Sequence, residues 1–167
     1  MAPGAGAPNE GAPANEGVPG AGAPAGRRQD EDRPRAVLRV AAAAIVRDGR
    51  LLATQRGYGE LKDGWELPGG KLEPGETPAQ AAVREIREEL ATDVVPVRAI
   101  ADVDQPHDGV LLRITCLLCT LAPGAPEPRL LEHEDARWLD AAHLSDVAWL
   151  PADRRMVVAI RRQGLLS

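Results

Sequence analysis

The chain is poor in cysteine and in aromatic residues, which limits the chemistry it can support. It has two Cys, one Tyr and no Phe among 167 residues. Cys116 and Cys119 lie in one apolar run, and positions three apart in a β-strand point to opposite faces of a sheet. A zinc site would need a second pair of ligands, and a redox motif would need a helix start. We therefore expect two buried, unpaired thiols and a reducing, cytoplasmic location.

Long apolar runs and an excess of positive charge are missing as well. No stretch approaches the roughly 18 to 20 apolar residues of a membrane-spanning helix, and the N-terminus has no hydrophobic segment of signal-peptide type. The formal net charge is -5, whereas binding to nucleic-acid polymers requires a basic surface. We expect no membrane or polymer partner, and a small anionic ligand only where a metal supplies positive charge.

Residues 1–26 differ in composition from the rest of the chain. They hold 8 Ala, 7 Gly and 5 Pro, so 20 of these 26 positions carry little or no side chain to bury. Such a segment buries too little surface to offset the conformational entropy that it would lose on folding. Residues 27–33 are mostly charged and are expected to stay solvated as well. The sequence predicts a disordered Ala/Gly/Pro-rich tail over residues 1–35 and a single domain over residues 36–167.

Strand and helix patterns are mixed in the predicted domain. Apolar runs bounded by turn residues predict five strands: residues 37–46, 51–55, 94–103, 110–121 and 136–139. An Asp48-Gly49 hairpin turn joins the first two strands, and a Gly-rich loop follows over residues 57–75. Two helices are predicted: Pro78 to about Leu90, and Pro151 through Arg162. This order predicts an α/β domain with helices packed on a mixed sheet.

The helix that begins at Pro78 has a defined start and an acidic face. Its start carries an N-cap, a first-turn proline and a capping-box glutamine: Thr77, Pro78 and Gln80. At about 100° per residue, three carboxylates fall on one face beside the apolar stripe: Glu85, Glu88 and Glu89. Like charges at this spacing repel and need compensation. Either a divalent cation such as Mg²⁺ binds them, or Arg84 and Arg87 pair with them on a solvated face.

The loop before this helix and the helix itself share one motif. From Gly70 the sequence reads G-K-L-E-P-G-E, then seven residues, then R-E-I-R-E-E. It resembles the box of the Nudix hydrolases, G-x5-E-x7-R-E-U-x-E-E-x-G-U with U aliphatic. The fixed positions match through Glu89, whereas Ala91 and Thr92 replace the usual glycine and aliphatic residue at the helix exit. The resemblance to the MutT and cytidine-triphosphate branch covers about residues 37–162.

The resemblance implies a Nudix-type α/β/α sandwich with a mixed β-sheet and a loop-helix-loop catalytic motif. It also implies Mg²⁺-dependent hydrolysis of a nucleoside triphosphate to the monophosphate and pyrophosphate, with Mn²⁺ as an alternative metal. Water attacks phosphorus, cations neutralise the phosphate oxygens, and a carboxylate positions or deprotonates the water. The expected partner is a small nucleotide, and the expected assembly is a monomer or a homodimer.

The resemblance further implies a role for individual residues. Four positions are expected to bind metal, the first through its main-chain carbonyl: Gly69, Glu85, Glu88 and Glu89. Three carboxylates are candidates for the catalytic base: Glu88, Glu89 and Glu132. Three box positions are expected to be structural, with an ion pair between the last two: Gly70, Glu76 and Arg84. Two cations are expected to contact phosphate: Arg56 and Lys71. If the resemblance does not extend to these three positions, Glu132 is a surface-loop glutamate, and Arg56 and Lys71 are ordinary charged residues at strand ends.

Asp153 bears on the nucleobase. Cytidine-preferring relatives carry Asp at this position, and an ionised carboxylate only accepts hydrogen bonds, which complements the cytosine amine. This favours (d)CTP or 5-methyl-dCTP, whereas 8-oxo-dGTP would call for a protonated Asp153. The alternative is an acidic first-turn residue favoured by the helix dipole. The candidates for stacking on a base are Tyr58, Trp65 and Trp149, although tryptophans are more often core residues.

The sequence leaves several functions open. The box recognises only the diphosphate and the metal, so ADP-ribose or a dinucleoside polyphosphate is an alternative substrate. The protein could also be a non-catalytic nucleotide sensor of the same family, or the acidic face of the helix could be purely structural. The task of a triphosphate hydrolase, either sanitation of oxidised nucleotides or control of pyrimidine pools, is equally undecided.

Overall fold

The computed structural model describes residues 36–167, so the tail predicted over residues 1–35 lies outside the described residues. The strands within that range are β1 (Val37–Arg47), β2 (Arg50–Arg56), β3 (Trp65–Glu66), β4 (Gly69–Lys71), β5 (Val94–His107), β6 (Val110–Leu121) and β7 (His133–Leu139). The helices are α1 (Pro78–Leu90) and α2 (Pro151–Arg162), with a short 3-10 turn at Leu144–Asp146. Both predicted helices are confirmed.

The strands form a mixed sheet around β1. This central strand pairs in parallel with β6 and antiparallel with β2 and β4. β5 extends one side through β6, while β3 and β7 both pair antiparallel with β2 on the other. The predicted α/β class and mixed sheet are confirmed. No helix in the part of the chain that the structure describes is long and apolar enough to cross a membrane.

Two apolar cores lie on opposite faces of the sheet, each covered by one helix. Successive side chains of β1 point to opposite faces of the sheet. Ala41 and Ala43 therefore face α1, whereas Ala42 and Ala44 face α2. Cys116 belongs to the α2 side and Cys119 to the α1 side. Burial raises the pKa of each thiol to about 12. The expectation that these sulfurs are buried and separated is therefore confirmed.

The strands differ from the predicted ones mainly in length. β5 continues to His107 because the Asp108-Gly109 turn, with φ of 47° and 74°, joins β5 to β6 without a loop between them. β7 begins at His133, three residues earlier than predicted, because it pairs with β2 along nearly the whole length of that strand. The loop predicted over residues 57–75 contains β3 and β4. A segment of two or three residues is too short to show an alternation of apolar and polar residues. β3 and β4 are therefore defined only by their pairing with β2 and β1.

Candidate active site

The ends of α1 are fixed by contacts that differ in kind. At its start the Thr77 hydroxyl accepts from the Gln80 N–H at 3.2 Å, and the Gln80 side chain accepts from the Thr77 N–H at 2.9 Å. This confirms the predicted capping box. At its end Ala91 adopts a left-handed conformation with φ of 49°, where glycine is usual. The adjacent Thr92 is buried, and its hydroxyl donates to the Pro126 carbonyl at 2.5 Å.

Arg84 joins the loop of the motif to the helix. Its guanidinium donates to both carboxylate oxygens of Glu76 at 2.9 Å and to the Lys71 carbonyl at 2.9 Å. The same group donates to Glu85 at 2.7 Å and lies 3.4 Å from Glu88. The hydrogen bonds from Arg84 hold the pKa of the Glu76 carboxyl below its usual value. The ion pair that the motif predicts is therefore present, as a bidentate contact.

Two adjacent glycines let β4 lie against both β1 and α1. A side chain on Gly69 would place its Cβ 2.1 Å from the Ala41 carbonyl oxygen, and its φ of 149° is one that other residues rarely adopt. A Cβ on Gly70 would lie 2.4 Å from the Glu85 carboxyl carbon. The Gly69 N–H donates to Glu89 at 3.1 Å. The carboxylates of Glu85 and Glu89 thus lie directly against the β4 backbone because no side chain separates them.

The three carboxylates of α1 differ in environment. Glu89 is buried, Glu85 is mostly buried and Glu88 is exposed. Burial is the main cause that raises the pKa of Glu89 to about 8, and the negative charge of Glu85 adds to it. The charges of Glu66 and Glu132 act in the same direction, while the Gly69 N–H opposes them. Several negative charges therefore act on one poorly solvated carboxyl group, and a cation would offset them.

These residues fit a divalent metal in their donor chemistry. Carboxylate oxygens and a main-chain carbonyl are the ligands that Mg²⁺ and related hard cations prefer, and the burial of Glu89 shields it from water. Among residues 36–167, however, no three His, Cys, Asp or Glu side chains converge closely enough to hold a metal. Arg84 keeps Glu85 and Glu88 on its own guanidinium instead. The set of Gly69, Glu85, Glu88 and Glu89 stays a prediction.

A second charged group lies across the site from α1, at the ends of β2, β3 and β7. Arg56 donates to Glu66 at 3.0 Å, and the Nε2 atom of the His133 side chain, which is 4% exposed, lies 3.3 Å from the other Glu66 oxygen. Arg56 Nε and His133 Nδ1 are buried without a protein partner among the described residues. Glu66 and His133 were not among the predicted site residues. The sequence showed only a single charge between the apolar Trp65 and Leu67, which is too short a segment to assign Glu66 to a face.

Glu132 is exposed, on the loop that follows β6. Two N–H groups of this loop cap the last carbonyls of α1: Leu131 N–H donates to Glu89 at 3.0 Å, and Arg129 N–H donates to Leu90 at 2.8 Å. The loop therefore brings Glu132 within electrostatic reach of the Glu89 carboxyl.

Lys71 is exposed at the end of β4. Its main-chain carbonyl accepts a hydrogen bond from Arg84.

Asp153 is buried at the first turn of α2, with 7% of its surface exposed. It accepts from the Leu67 N–H at 2.8 Å and so joins α2 to the segment between β3 and β4. Burial raises the pKa of Asp153 to about 7, Glu66 adds to this shift, and the Leu67 N–H opposes it. The residue therefore lies in the first helical turn, as the dipole alternative expects, while its contact with a nucleobase stays a prediction.

Known proteins resemble this chain over most of the described range. The family model described as NUDIX domain matches residues 37–160. The Mycobacterium tuberculosis protein named "Putative 8-oxo-dGTP diphosphatase 2" is 41% identical over 128 residues, covering 74% of this chain and 87% of that protein. The Escherichia coli CTP pyrophosphohydrolase is 38% identical over 79 residues, covering 47% of this chain and 58% of that protein. The solution structure of the E. coli ORF135 protein superposes with a TM-score of 0.68 at 29% identity, over 77% of this chain and 91% of that one.

Proposed function

The chain belongs to the NUDIX domain family, and on that premise we propose that it hydrolyses a nucleoside triphosphate to the monophosphate and pyrophosphate. We propose Mg²⁺ as its metal, with Mn²⁺ as a substitute, and (d)CTP, 5-methyl-dCTP or 8-oxo-dGTP as its substrate. The observation that carries the proposal is the position of two box carboxylates against the β4 backbone: Glu89 accepts from the Gly69 N–H, and Glu85, which Arg84 holds, lies against Gly70. Relatives named as an 8-oxo-dGTP diphosphatase and a CTP pyrophosphohydrolase support the choice of triphosphates.

In this mechanism the protein positions the metal and the phosphates and accepts one proton. Gly69, Glu85, Glu88 and Glu89 would hold the cation, which supplies positive charge to the phosphate oxygens. Water attacks phosphorus, a phosphoanhydride bond breaks, and the proton passes to a carboxylate. Glu89 has a raised pKa that suits proton transfer near neutrality, but a bound cation would lower it. Glu132 is the candidate base outside the proposed ligand set, and Arg56 and Lys71 are the proposed phosphate contacts.

The substrate choice follows from the protonation of Asp153. Its pKa of about 7 puts both forms within reach at neutral pH. The ionised form accepts a hydrogen bond from the cytosine amine, and the protonated form donates to an acceptor such as an oxidised guanine carbonyl. One side chain thereby accounts for both candidate bases. The predicted cytoplasmic location and the monomeric or homodimeric state belong to the same proposal.

A nucleotide panel tests this function. The purified protein is incubated with Mg²⁺ and CTP, dCTP, 5-methyl-dCTP, 8-oxo-dGTP, the other common triphosphates, ADP-ribose and a dinucleoside polyphosphate, and the products are resolved by chromatography. We expect a nucleoside monophosphate and pyrophosphate in equal amounts. Cleavage of ADP-ribose or the dinucleoside alone would favour the alternative substrate class. Binding without turnover, with either Mg²⁺ or Mn²⁺, would favour a nucleotide sensor.

Substitutions in two acidic residues connect the activity to the site. Glu89→Gln removes the buried carboxylate that lies against Gly69 and is expected to lower kcat at least about 100-fold. Glu134→Gln is the matched control, because Glu134 is an exposed carboxylate near Glu132 that pairs with Lys62. Equal activity of both variants, with unchanged circular dichroism, would remove Glu89 from the catalytic site.

A further inference from the structure

Exposed aromatic side chains are scarce in this protein. Its three Trp and one Tyr all lie in the described range, and it has no Phe. Trp65 and Trp149, predicted as candidates for base stacking, are core residues with 5% and 8% of their surface exposed. Trp138 packs against the α1-side core, with the Arg47 guanidinium 4.3 Å from its ring centre. Tyr58, with 53% exposed, is the one largely exposed aromatic residue among residues 36–167.

The backbone around Tyr58 is anchored at the end of β2. The N–H of Arg56 donates to the Gly64 carbonyl at 2.9 Å, and the N–H of Asp63 donates to the Arg56 carbonyl at 2.8 Å. The Gln55 side chain also donates to the Asp63 carbonyl at 3.1 Å. These bonds close the loop two residues away from Tyr58. Tyr58 therefore lies near the base of a closed loop.

The cation beside Tyr58 belongs to the charged group of the candidate site. The Arg56 guanidinium carbon lies 4.9 Å from the centre of the Tyr58 ring, and the same guanidinium donates to Glu66. A cation on the face of an aromatic ring is attracted to its π electrons and restrains the orientation of the ring. Arg56 is thereby held between a carboxylate and an aromatic face, which places Tyr58 beside a proposed phosphate contact.

The carboxylates of the site act electrostatically on Tyr58. Partial burial raises the pKa of its hydroxyl group, and the negative charges of Glu132, Glu89 and Glu66 act in the same direction. The ring thus lies within electrostatic reach of carboxylates from α1, from β3 and from the loop that carries Glu132. An aromatic ring half open to solvent at such a place is available to a planar ligand.

We propose that Tyr58 is the stacking platform for the nucleobase, with the phosphate chain extending from it past Arg56 to the carboxylates of α1. This inference rests on the proposed function, because it assigns a residue to the base of that substrate. Stacking uses the π face, which every base has, and does not depend on its hydrogen-bonding groups. Tyr58 therefore contributes affinity for every nucleotide, whereas Asp153 discriminates among bases.

Steady-state kinetics of three variants test this role. Tyr58→Ala is expected to raise KM about tenfold for every triphosphate that is turned over, with kcat within about twofold of the parent. Tyr58→Phe keeps the ring and should retain the parent KM. Leu61→Ala, which removes another exposed apolar side chain of the same loop, is the matched control and should also retain it. An unchanged KM in Tyr58→Ala would overturn the proposal.

Product binding separates the base from the phosphate and does not depend on turnover. Calorimetry with CMP and with ribose 5-phosphate compares a ligand that has a base with one that lacks it. Tyr58→Ala should lose about tenfold in affinity for CMP and none for ribose 5-phosphate. An equal loss for both ligands would overturn the proposal, since the residue would then act on the sugar phosphate or on the loop. If the parent protein binds CMP but hydrolyses no triphosphate, the proposed function fails while the role of Tyr58 is still measured.

Discussion

The α1 side and the α2 side of the candidate site are built in different ways. The α1 side consists of Gly69, Gly70, Glu76 and the polar face of α1, and its contacts join residues within about one motif length of each other. The second group, which we call the α2 side because α2 supplies its Asp153 and which is not a face of the sheet, brings together residues from four elements: Arg56, Glu66, His133 and Asp153. One of its hydrogen bonds joins residues 86 positions apart, from Leu67 to Asp153. A group of residues that are close in sequence can carry the chemistry that a family shares. A group assembled from distant elements can vary with the substrate.

The two sides also differ in how their charges are compensated. On the α1 side a single cation, Arg84, donates hydrogen bonds to three carboxylates and a carbonyl, so its loss affects every part of the motif. On the α2 side Glu66 is shared between Arg56 and His133, and Asp153 relies on one backbone N–H. We therefore expect substitutions on the α1 side to reduce turnover with any nucleotide. Substitutions on the α2 side should mainly alter which nucleotide is preferred.

The largest effect is expected from Arg84→Ala. It leaves Glu76 without its bidentate partner and removes the link between helix and loop, which should destabilise the fold by about 2 kcal/mol. Turnover should fall at least about 100-fold for all nucleotides, because the carboxylates lose their positions. Urea unfolding and kcat measurements check both expectations.

Two further variants show whether the geometry or the charge of Arg84 matters. Arg84→Lys keeps the charge but cannot make the bidentate contact with Glu76, so it should resemble the alanine variant in turnover. Arg87→Ala removes an exposed arginine that pairs with Asp93 and should change stability by less than about 0.5 kcal/mol. A change in base preference without loss of turnover in Arg84→Ala would contradict the division between the two sides.

The α1 side could be predicted in detail because short-range rules determine it. The capping box, the start of α1 and the Arg84–Glu76 pair are all spacings within the motif. The sequence did not show how Ala91 and Thr92 take the places of the usual glycine and aliphatic residue at the end of α1. Ala91 adopts the left-handed conformation despite its side chain, and the Thr92 hydroxyl bonds to a loop residue 34 positions away. That loop continues to Glu132, whose position depends on the end of α1.

An intermediate effect is expected from His133→Leu. The substitution keeps a buried side chain of similar volume but removes the nitrogen that lies 3.3 Å from Glu66. Glu66 then keeps only Arg56 as a partner, so the groups near Asp153 should shift and the ratio of kcat/KM between CTP and 8-oxo-dGTP should change about fivefold. The sum of the two activities should fall much less than in Arg84→Ala. Glu134→Gln, an exposed neighbour on the same strand, serves as control and should leave the ratio unchanged.

The α2 side could be predicted only in part, and the reason is physical. Asp153 and Arg56 were found through a resemblance, whereas Glu66 and His133 acquire their meaning from strand pairing, which brings residues 56, 66 and 133 together in space. β3 has two residues, too few for any period to show, and the face occupied by Glu66 follows from its register with Thr54 on β2. The burial of the His133 side chain likewise depends on the irregular pairing at Arg56.

The smallest effect, a change in base preference with pH, is expected from the titration of Asp153. It tests the α2 side without a substitution. The groups that act on this carboxyl are Glu66 on β3, Arg56 on β2, the Leu67 N–H and the N–H of Asp153 itself. Because its pKa is raised to about 7, raising the pH from 6 to 8 converts it from a donor to an acceptor. The CTP to 8-oxo-dGTP ratio of kcat/KM should then rise about threefold. Asp153→Asn should abolish that dependence, and a parallel change in the variant would assign it to another group.

Stability provides an independent measurement of the same titration. The folded-state pKa of Asp153 lies above the unfolded value of 3.8, so between about pH 4 and pH 7 the native state binds the proton more tightly than the unfolded state. This contribution is fully present below pH 4 and is lost as the pH rises towards 7. The free energy of unfolding of Asp153→Asn, relative to the parent, should therefore increase across that window and level off above it. A difference that does not vary with pH would mean that Asp153 is ionised throughout, and the cytidine preference would then be permanent.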